Sequence, residues 1–267
     1  MYKNKPKIAV CLCVGRETFK SLEKTVEDIY KVFSKTKYFG KFEIVFTTDD
    51  YTPIESYNFV IKLSKKYKKV ISNHKLIKNK KLTFARSYLS GFERAVADGV
   101  DYVIEMDVAM HDPNKIPIFL KGLIEEKCDC VFSTRFSRGG GFKNLPIQRV
   151  IISKIGTSLS NVFFGIYPPL SDLTSGYEAF SSKFLKQLFS KSDIEKWVSV
   201  TIVPHLVQTE LRVLSLKLGA KYKMVPVKYG NAKKGNKLKL RYLYKALKGF
   251  TFMVFRFYTG RYWTEGV

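Results

Sequence analysis

The stretch from Tyr102 to Gly176 constrains this chain most. It holds Val103-Ile-Glu-Met-Asp107, then Thr134-Arg-Phe-Ser-Arg-Gly-Gly-Gly141, then Arg149, then Ser171-Asp-Leu-Thr-Ser-Gly176. An apolar run ending in an acid predicts a buried strand that delivers a carboxylate to the carboxyl edge of a sheet, where open α/β sheets bind ligands. A carboxylate there can hold a divalent cation. The arginines and glycine run that follow offer forked cations and bare backbone amides, the groups best suited to phosphate oxygens. The stretch reads as a site for phosphates.

Strands and helices alternate around it. Residues 8–14 read as a first strand, and Leu22, Val26, Ile29 and Phe33 mark one face of the helix that follows. A second strand over 42–47 ends at Asp49-Asp50, a helix over 54–67 leads to a short strand at 70–72, and Phe84, Tyr88, Phe92 and Val96 give another helix closed by Gly99. Residues 102–106 form the strand that ends at Asp107, Pro113 opens the next helix, and 128–133 is a further strand. This order predicts an α/β fold with a Rossmann-like, mostly parallel sheet flanked by helices. A long helix is expected over 147–164, with Pro146 in its first turn and Gly165 at its end. Its Ile147, Ile151, Ile155 and Leu159 form an apolar stripe. Arg149, Ser153, Gly156 and Ser160 form a small, polar stripe with one cation, which reads as room for a ligand rather than as a solvated face.

With 267 residues and 45% hydrophobic content, one domain over 1–227 and a basic, aromatic segment over 228–267 are expected. No apolar run approaches the roughly 18 residues of a spanning helix. Lys3, Lys5 and Lys7 before an apolar run mimic a signal peptide, but the run leads to Gly15-Arg-Glu17 rather than to a small-residue cleavage site. A formal net charge of +24 implies an anionic partner: nucleic acid, an anionic membrane or a phosphorylated substrate. A lysine-rich solvated surface would carry the same charge with no such partner. No nucleic-acid motif accompanies the charge, so no nucleic-acid partner is expected. The pairs Cys11/Cys13 and Cys128/Cys130 each fall on one face of a strand and read as core, since zinc sites usually space their cysteines more widely. Nothing demands an oxidising compartment, which places the chain in the cytoplasm.

Residues 102–180 resemble the dolichyl-phosphate mannosyltransferase branch of the family 2 glycosyltransferases, which make polyprenyl-phosphate sugars from nucleotide sugars on a GT-A fold. The matches are Val103-Ile-Glu-Met-Asp107, His111-Asp-Pro113, Thr134-Arg-Phe136 with the glycine run, Arg149 with Ser153, and Ser171-Asp-Leu-Thr-Ser-Gly-Tyr177. Weaker similarity runs from Ile8 to Val227. The resemblance implies an inverting transfer from a GDP-mannose or UDP-hexose donor to a polyprenyl phosphate. It implies Asp107 as metal ligand and support for the leaving diphosphate, and His111 as a further ligand of Mg2+ or Mn2+. It implies Arg135, Arg149 and Ser153 around the acceptor phosphate with Asp172 beside them, and Glu17 and Asp49 at the base and ribose. Lys81, Lys234 and Lys237 complete the implied donor-binding set, the last two in a basic loop that closes over the diphosphate. The chain departs from the family pattern at Ala109, where a second acid is usual, at Cys13-Val-Gly-Arg-Glu17, where only the glutamate is kept, and at Lys81 and Thr83, where glycines are usual.

Arg241 to Trp263 is dense in aromatic and cationic residues, which suits a helix at the interface of an anionic membrane and equally a terminal helix packed on the core. The expected location is therefore cytoplasmic and peripheral, on the cytoplasmic membrane face. Two further readings stand beside the transferase: a related enzyme with a soluble sugar or protein acceptor, and a non-catalytic basic binding protein on the same fold, to which Ala109 points.

Overall fold

The computed structural model describes residues 5–15, 17–36, 42–48, 52–67, 77–78, 83–230 and 240–264, without the side chains of 77–78 and 240–242. The chain runs β1 (Ile8–Val14), α1 (Phe19–Lys35), β2 (Phe42–Thr48), α2 (Ile54–Lys66), β3 (Ile77–Lys78), α3 (Phe84–Ala97), β4 (Tyr102–Glu105), α4 (Ile116–Ile124), β5 (Cys130–Thr134), β6 (Gly141–Phe142), α5 (Ile147–Phe163), β7 (Glu178–Ser181), α6 (Ser182–Lys191), α7 (Val198–Thr201), α8 (Val207–Lys217), β8 (Tyr222–Pro226), β9 (Lys228–Tyr229) and α9 (Leu240–Tyr258). The main sheet has the order β3-β2-β1-β4-β7-β5-β8. Strand β7 is antiparallel to β4 and β5, and the other pairings are parallel. The expected strand at 70–72 lies outside the described residues; the two-residue β3 is what pairs with β2.

The sheet is covered on both faces, which explains why β1 is apolar along its whole length and buried at all seven positions. Its side chains alternate between two cores. Ala9 and Cys11 join Phe92, Phe180, Trp197 and Leu211, whereas Val10 and Leu12 join Ile29, Phe33, Phe119 and Leu120. Helices α1, α3 and α6 start where Thr18, Thr83 and Ser181 accept a hydrogen bond from the third residue on. All four cysteines are free and buried. Cys128 and Cys130 do not share a face as expected, because β5 begins only at Cys130 and Cys128 turns into the opposite core.

The described residues after 227 stay with the body. Strand β9 pairs with β6, and the Gly230 amide donates to the Met110 carbonyl at 3.1 Å. One face of α9 packs on the first core through Met253, and Tyr262 just beyond it is also wholly buried. Gly249 allows this approach, since a Cβ there would lie 2.7 Å from Val203 Cγ2. No helix among the described residues is long and apolar enough to cross a membrane.

One buried cation ties the centre together. The Arg212 side chain, 0% exposed, donates to Glu178 Oε1 at 2.7 Å and to the carbonyls of Ser133, Asp172 and Ser175. Glu178 faces Glu105 directly across the β4–β7 pair. Burial raises both carboxyl pKa values, Glu178 to about 7. Replacing Arg212 by Met leaves a buried acid and three carbonyls without their donor, a loss of about 3–5 kcal/mol. The loss should be larger at pH 8 than at pH 5. A carboxyl whose folded pKa lies above 4.5 is penalised progressively as pH rises through the folded value, and at pH 5 Glu178 takes a proton instead. Urea unfolding of Arg212→Met and parent at the two pH values checks this; an equal loss at both would refute it.

Candidate active site

Asp107 stands just past β4, at the carboxyl edge of the sheet. Its Oδ1 accepts a hydrogen bond from Tyr88 Oη at 2.7 Å, and the Tyr229 phenol lies near enough to act on the same carboxyl. Burial raises the Asp107 pKa, and these two phenols, His205 and Arg135 hold the rise in check. Tyr88 comes from α3, and Tyr229 comes from β9, which the β6–β9 ribbon carries over the site. Ala109 adopts φ 60°, a left-handed conformation uncommon outside glycine, asparagine and aspartate, and its amide donates to Thr25 Oγ1 at 3.2 Å.

His111 is not available as a metal ligand, contrary to what the resemblance implies. The Asp107 backbone N–H donates to its Nδ1 at 2.8 Å, so in the neutral ring the proton must sit on Nε2. Burial and the nearby Arg135 lower its pKa to about 3, which keeps the ring neutral. Nε2 is buried with no hydrogen-bond partner, between the rings of Tyr177 and Tyr229 at centroid distances of 4.8 and 5.1 Å. A protonated Nε2 has no lone pair for a cation. His111 instead stabilises the turn that follows Asp107.

Arg135 and Asp172 meet, but as partners of each other. Arg135 Nε and Nη2 donate to Asp172 Oδ2 and Oδ1 at 2.7 and 2.9 Å, its backbone N–H donates to Oδ2 at 3.0 Å, and Nη2 also reaches Thr174 Oγ1. The rings of Phe136, Phe142 and Tyr229 surround the guanidinium at 5.1 to 5.7 Å. Nη1 alone has no hydrogen-bond partner among the described residues, and Arg135 is only 7% exposed. The acceptor role implied for Arg135 is thus reduced to that one nitrogen. Asp172 is a clamp, with its carboxyl held ionised by Arg135, and it caps no helix; its Oδ1 accepts from the Thr174 N–H two residues on. The glycine run departs from expectation as well. The Gly140 amide closes a turn onto Ser137 O at 2.8 Å and the Gly141 amide joins the Val227 carbonyl at 3.1 Å, so these amides build the ribbon that carries Tyr229 rather than a phosphate nest.

Helix α5 is turned the opposite way from an ordinary surface helix. Its small, polar stripe faces the protein: Thr157 and Ser160 are buried, Thr157 Oγ1 accepts from the Leu173 N–H at 3.1 Å, and Gly156 lies against Thr174. Thr157 and Gly156 therefore seat the 171–175 loop, on a face that the sequence alone reads as room for a ligand. Ile147, Ile151 and Ile155 are 68%, 49% and 52% exposed. Arg149 is exposed in the first turn and Ser153 is half-buried one turn on. Arg149 lies close enough to His205 and Tyr229 to lower the pKa of each by its charge. His205 and Tyr229 thus each lie within electrostatic reach of both Arg149 and Asp107.

Glu17 lies at the same sheet edge, where its Oε2 accepts from the Gly15 amide at 2.6 Å. Asp49, Lys81, Lys234 and Lys237 lie outside the described residues. The sequence reading missed Tyr88, Tyr229 and His205. Tyr88 sits on the apolar stripe of α3 and gave no polar signal, though a tyrosine in such a stripe still needs a partner for its hydroxyl.

A divalent cation fits this site only in part. Asp107 offers hard oxygen ligands suited to Mg2+ or Mn2+. Among the described residues, however, no group of three or more His, Cys, Asp or Glu could hold a metal ion. A cation beside Asp107 would take its remaining ligands from water or from a bound anion. The Asp107 carboxylate also depends on its phenols, so Tyr88→Phe should raise its pKa by about one unit, the worth of one such bond. A carbon-13 titration of the Asp107 carboxyl reads this directly, and an unchanged or lowered midpoint would contradict it.

No family model matches the chain. Among curated proteins it is 26% identical over 116 residues to a polyprenol monophosphomannose synthase from Mycolicibacterium smegmatis, covering 43% of each chain. It is 30% identical over 118 residues to an undecaprenyl-phosphate mannosyltransferase from Micrococcus luteus, covering 44% of this chain and 47% of that protein. The matched region thus spans about half the length of these relatives. Among solved structures, a mannosyl-3-phosphoglycerate synthase from Rubrobacter xylanophilus superposes with a TM-score of 0.57 at 14% identity, over 94% of this chain and 73% of that one. A mannosyltransferase from Pyrobaculum calidifontis in complex with GDP-Man and Mn2+ superposes at 0.52 and 12% identity, over 85% and 57%. The fold is of GT-A type, and over about 44% of its length the chain is similar in sequence to these two polyprenyl-phosphate mannosyltransferases.

Proposed function

We propose that the protein is an inverting glycosyltransferase that moves a hexose, mannose foremost, from a nucleotide sugar to a polyprenyl phosphate. The observation that carries this reading is that an acid, Asp107, and an exposed cation, Arg149, lie on either side of His205 and Tyr229 within electrostatic reach of both, in a chain similar to two polyprenyl-phosphate mannosyltransferases. The acceptor phosphate monoester is largely ionised near neutrality, its second pKa being about 6, so no strong base is needed. Its oxygen attacks the anomeric carbon while the bond to the nucleoside diphosphate breaks, and the electron pair leaves with that diphosphate. The protein's task is to align two anions and offset their charge.

Arg149 and Ser153, one helical turn apart, would hold the acceptor phosphate, with Arg135 Nη1 at its inner side. Asp107 would orient a divalent cation, Mg2+ or Mn2+, whose chemistry when bound is to offset the charge of the leaving diphosphate. Tyr88 and Tyr229 keep the Asp107 carboxylate ionised and aimed. The acceptor's lipid tail accounts for the outward apolar stripe of α5. That stripe continues onto α9, where Tyr258 Oη donates to the Phe163 carbonyl at 2.7 Å and Leu243, Tyr244, Leu247 and Phe255 are exposed. With a net charge of +24, this face would rest on an anionic membrane surface as a peripheral attachment.

Arg149→Ala should lower kcat/KM for a polyprenyl phosphate acceptor by about 100-fold, in line with roughly 3 kcal/mol for a charge-assisted bond, and leave nucleotide-sugar affinity within twofold. Equal acceptor kinetics in mutant and parent would remove the assignment. Because Asp107 is the only carboxylate from Asp107 to His111, Mn2+ should bind weakly to the free protein and strongly with nucleoside diphosphate, and Asp107→Asn should abolish the difference. Calorimetry showing equal Mn2+ affinity with and without nucleotide, or full activity in chelator, would overturn this site.

A further inference from the structure

Away from the active site, three segments bring cations together at the end of α9. Gly260 adopts φ 71° and ends the helix, and the chain folds back so that Trp263 bridges to Ser192 and the Thr264 amide donates to the Lys191 carbonyl at 3.0 Å. On a continuous helix Arg256 and Arg261 would point about 140° apart. The turn instead sets Arg261 over the Phe255 ring at 4.9 Å. Arg256 donates to the Lys196 carbonyl and to Thr201 Oγ1. The result is a cleft of about 220 Å³ lined by Lys196, Arg256, Arg261 and Trp263, three cations and an indole. Among the described residues, Asp193 pairs with Lys196 at 3.3 Å, and Glu195 next to it pairs with Arg86 at 3.0 Å. Like charges held this close repel unless an anion sits among them.

We infer that this cleft binds the phosphate of an anionic phospholipid headgroup, apart from the acceptor site. Phosphate suits the cations, two of which carry planar forks. The lipid source follows from the surroundings: Arg261 rests on Phe255, which belongs to the exposed apolar stripe of α9 with Phe252 and Tyr258, so a headgroup in the cleft has apolar side chains beside it for its tails. An indole at such a boundary has one apolar side and one wet side, as at membrane interfaces. The site rests on the membrane-facing reading of α5 and α9, and it would anchor one end of that face and so fix how the active site meets the bilayer.

The test uses the full chain and vesicles of phosphatidylcholine with and without phosphatidylglycerol. Arg256→Gln/Arg261→Gln should lower affinity for the anionic vesicles about tenfold, whereas Lys20→Gln/Lys121→Gln, two exposed lysines elsewhere, should change it less than twofold. Arg261→Gln alone is the safeguard against misfolding, since among the described residues that exposed side chain stacks on Phe255 and makes no side-chain hydrogen bond or ion pair. Of the two tryptophans Trp197 is wholly buried, so quenching by brominated phosphatidylglycerol reports Trp263 entering the interface. Equal losses in both charge pairs, or no quenching, would overturn the site. Inorganic phosphate protecting the protein thermally through Arg261, with vesicle affinity unchanged by the variants, would assign the cleft to free phosphate and overturn the lipid assignment. Ile151→Ser/Leu247→Ser separates the underlying reading, because a membrane face requires it to weaken binding to both vesicle types. Transfer to a short-chain polyprenyl phosphate in detergent should be the same in Arg256→Gln/Arg261→Gln and parent. Its absence in the parent would defeat the catalytic proposal and leave the vesicle result standing.

Discussion

The Arg212 guanidinium is the interaction on which the site depends. It is wholly buried, and one side chain on α8 binds a carboxylate on β7 and carbonyls on β5 and in the 171–175 loop. Holding the Asp172 carbonyl fixes where the Asp172 carboxyl points, and that carboxyl takes two nitrogens of Arg135 as well as its backbone amide. Arg135 in turn lies among Phe136, Phe142 and Tyr229. The chain of contacts ends at Tyr229, one of the two phenols on Asp107. Buried ion pairs add little net stability against an apolar alternative, so their worth here is positional. Each bond also fills a donor or acceptor that the dry interior would otherwise leave unpaired.

Much of this architecture was legible in the sequence because burial on both faces leaves an unbroken apolar run. Strand β1 has the bounds expected of it, and Asp107 lies just beyond β4 as its place after such a run demands. Helix α5 begins at Ile147 after Pro146 as the proline position requires. What the sequence could not supply are pairings between distant residues. Arg135 and Asp172 lie 37 residues apart, and an arginine near a glycine run looks the same whether it faces a ligand or a clamp. The tautomer of His111 was equally hidden, since it is set by one backbone amide four residues earlier.

Helix α5 shows a second limit. Periodicity states which residues share a face and not which face meets the protein. The usual assumption that the apolar stripe turns inward fails here, because the loop at 171–175 needs a close neighbour that also bonds its amides. Thr157 supplies the hydroxyl and Gly156 the space, so the small stripe packs and the isoleucines are left outside. Asn161 adds to this seat by exchanging two bonds with the backbone of Leu170. A row of exposed branched side chains is costly in water, a cost that the membrane-facing role proposed for this helix would offset.

Ala109 shows how the turn after β4 has been kept while its chemistry changed. The left-handed conformation at that position costs an alanine about 1 kcal/mol, whereas aspartate and asparagine adopt it with local hydrogen bonds of their own. An acid is thus the better residue for the backbone as well as for a metal. The turn nevertheless closes, because the Ala109 amide finds Thr25 Oγ1 and the Asp107 amide finds His111. Those two bonds replace what an acidic side chain would give locally, so the geometry around Asp107 survives without a second carboxylate. What is absent beside Asp107 is a second carboxylate, while Arg135, paired with Asp172, and the exposed Arg149 lie nearby. Such a balance favours a highly charged anion and weakens the hold on a bare cation, so nucleotide and metal are expected to enter together.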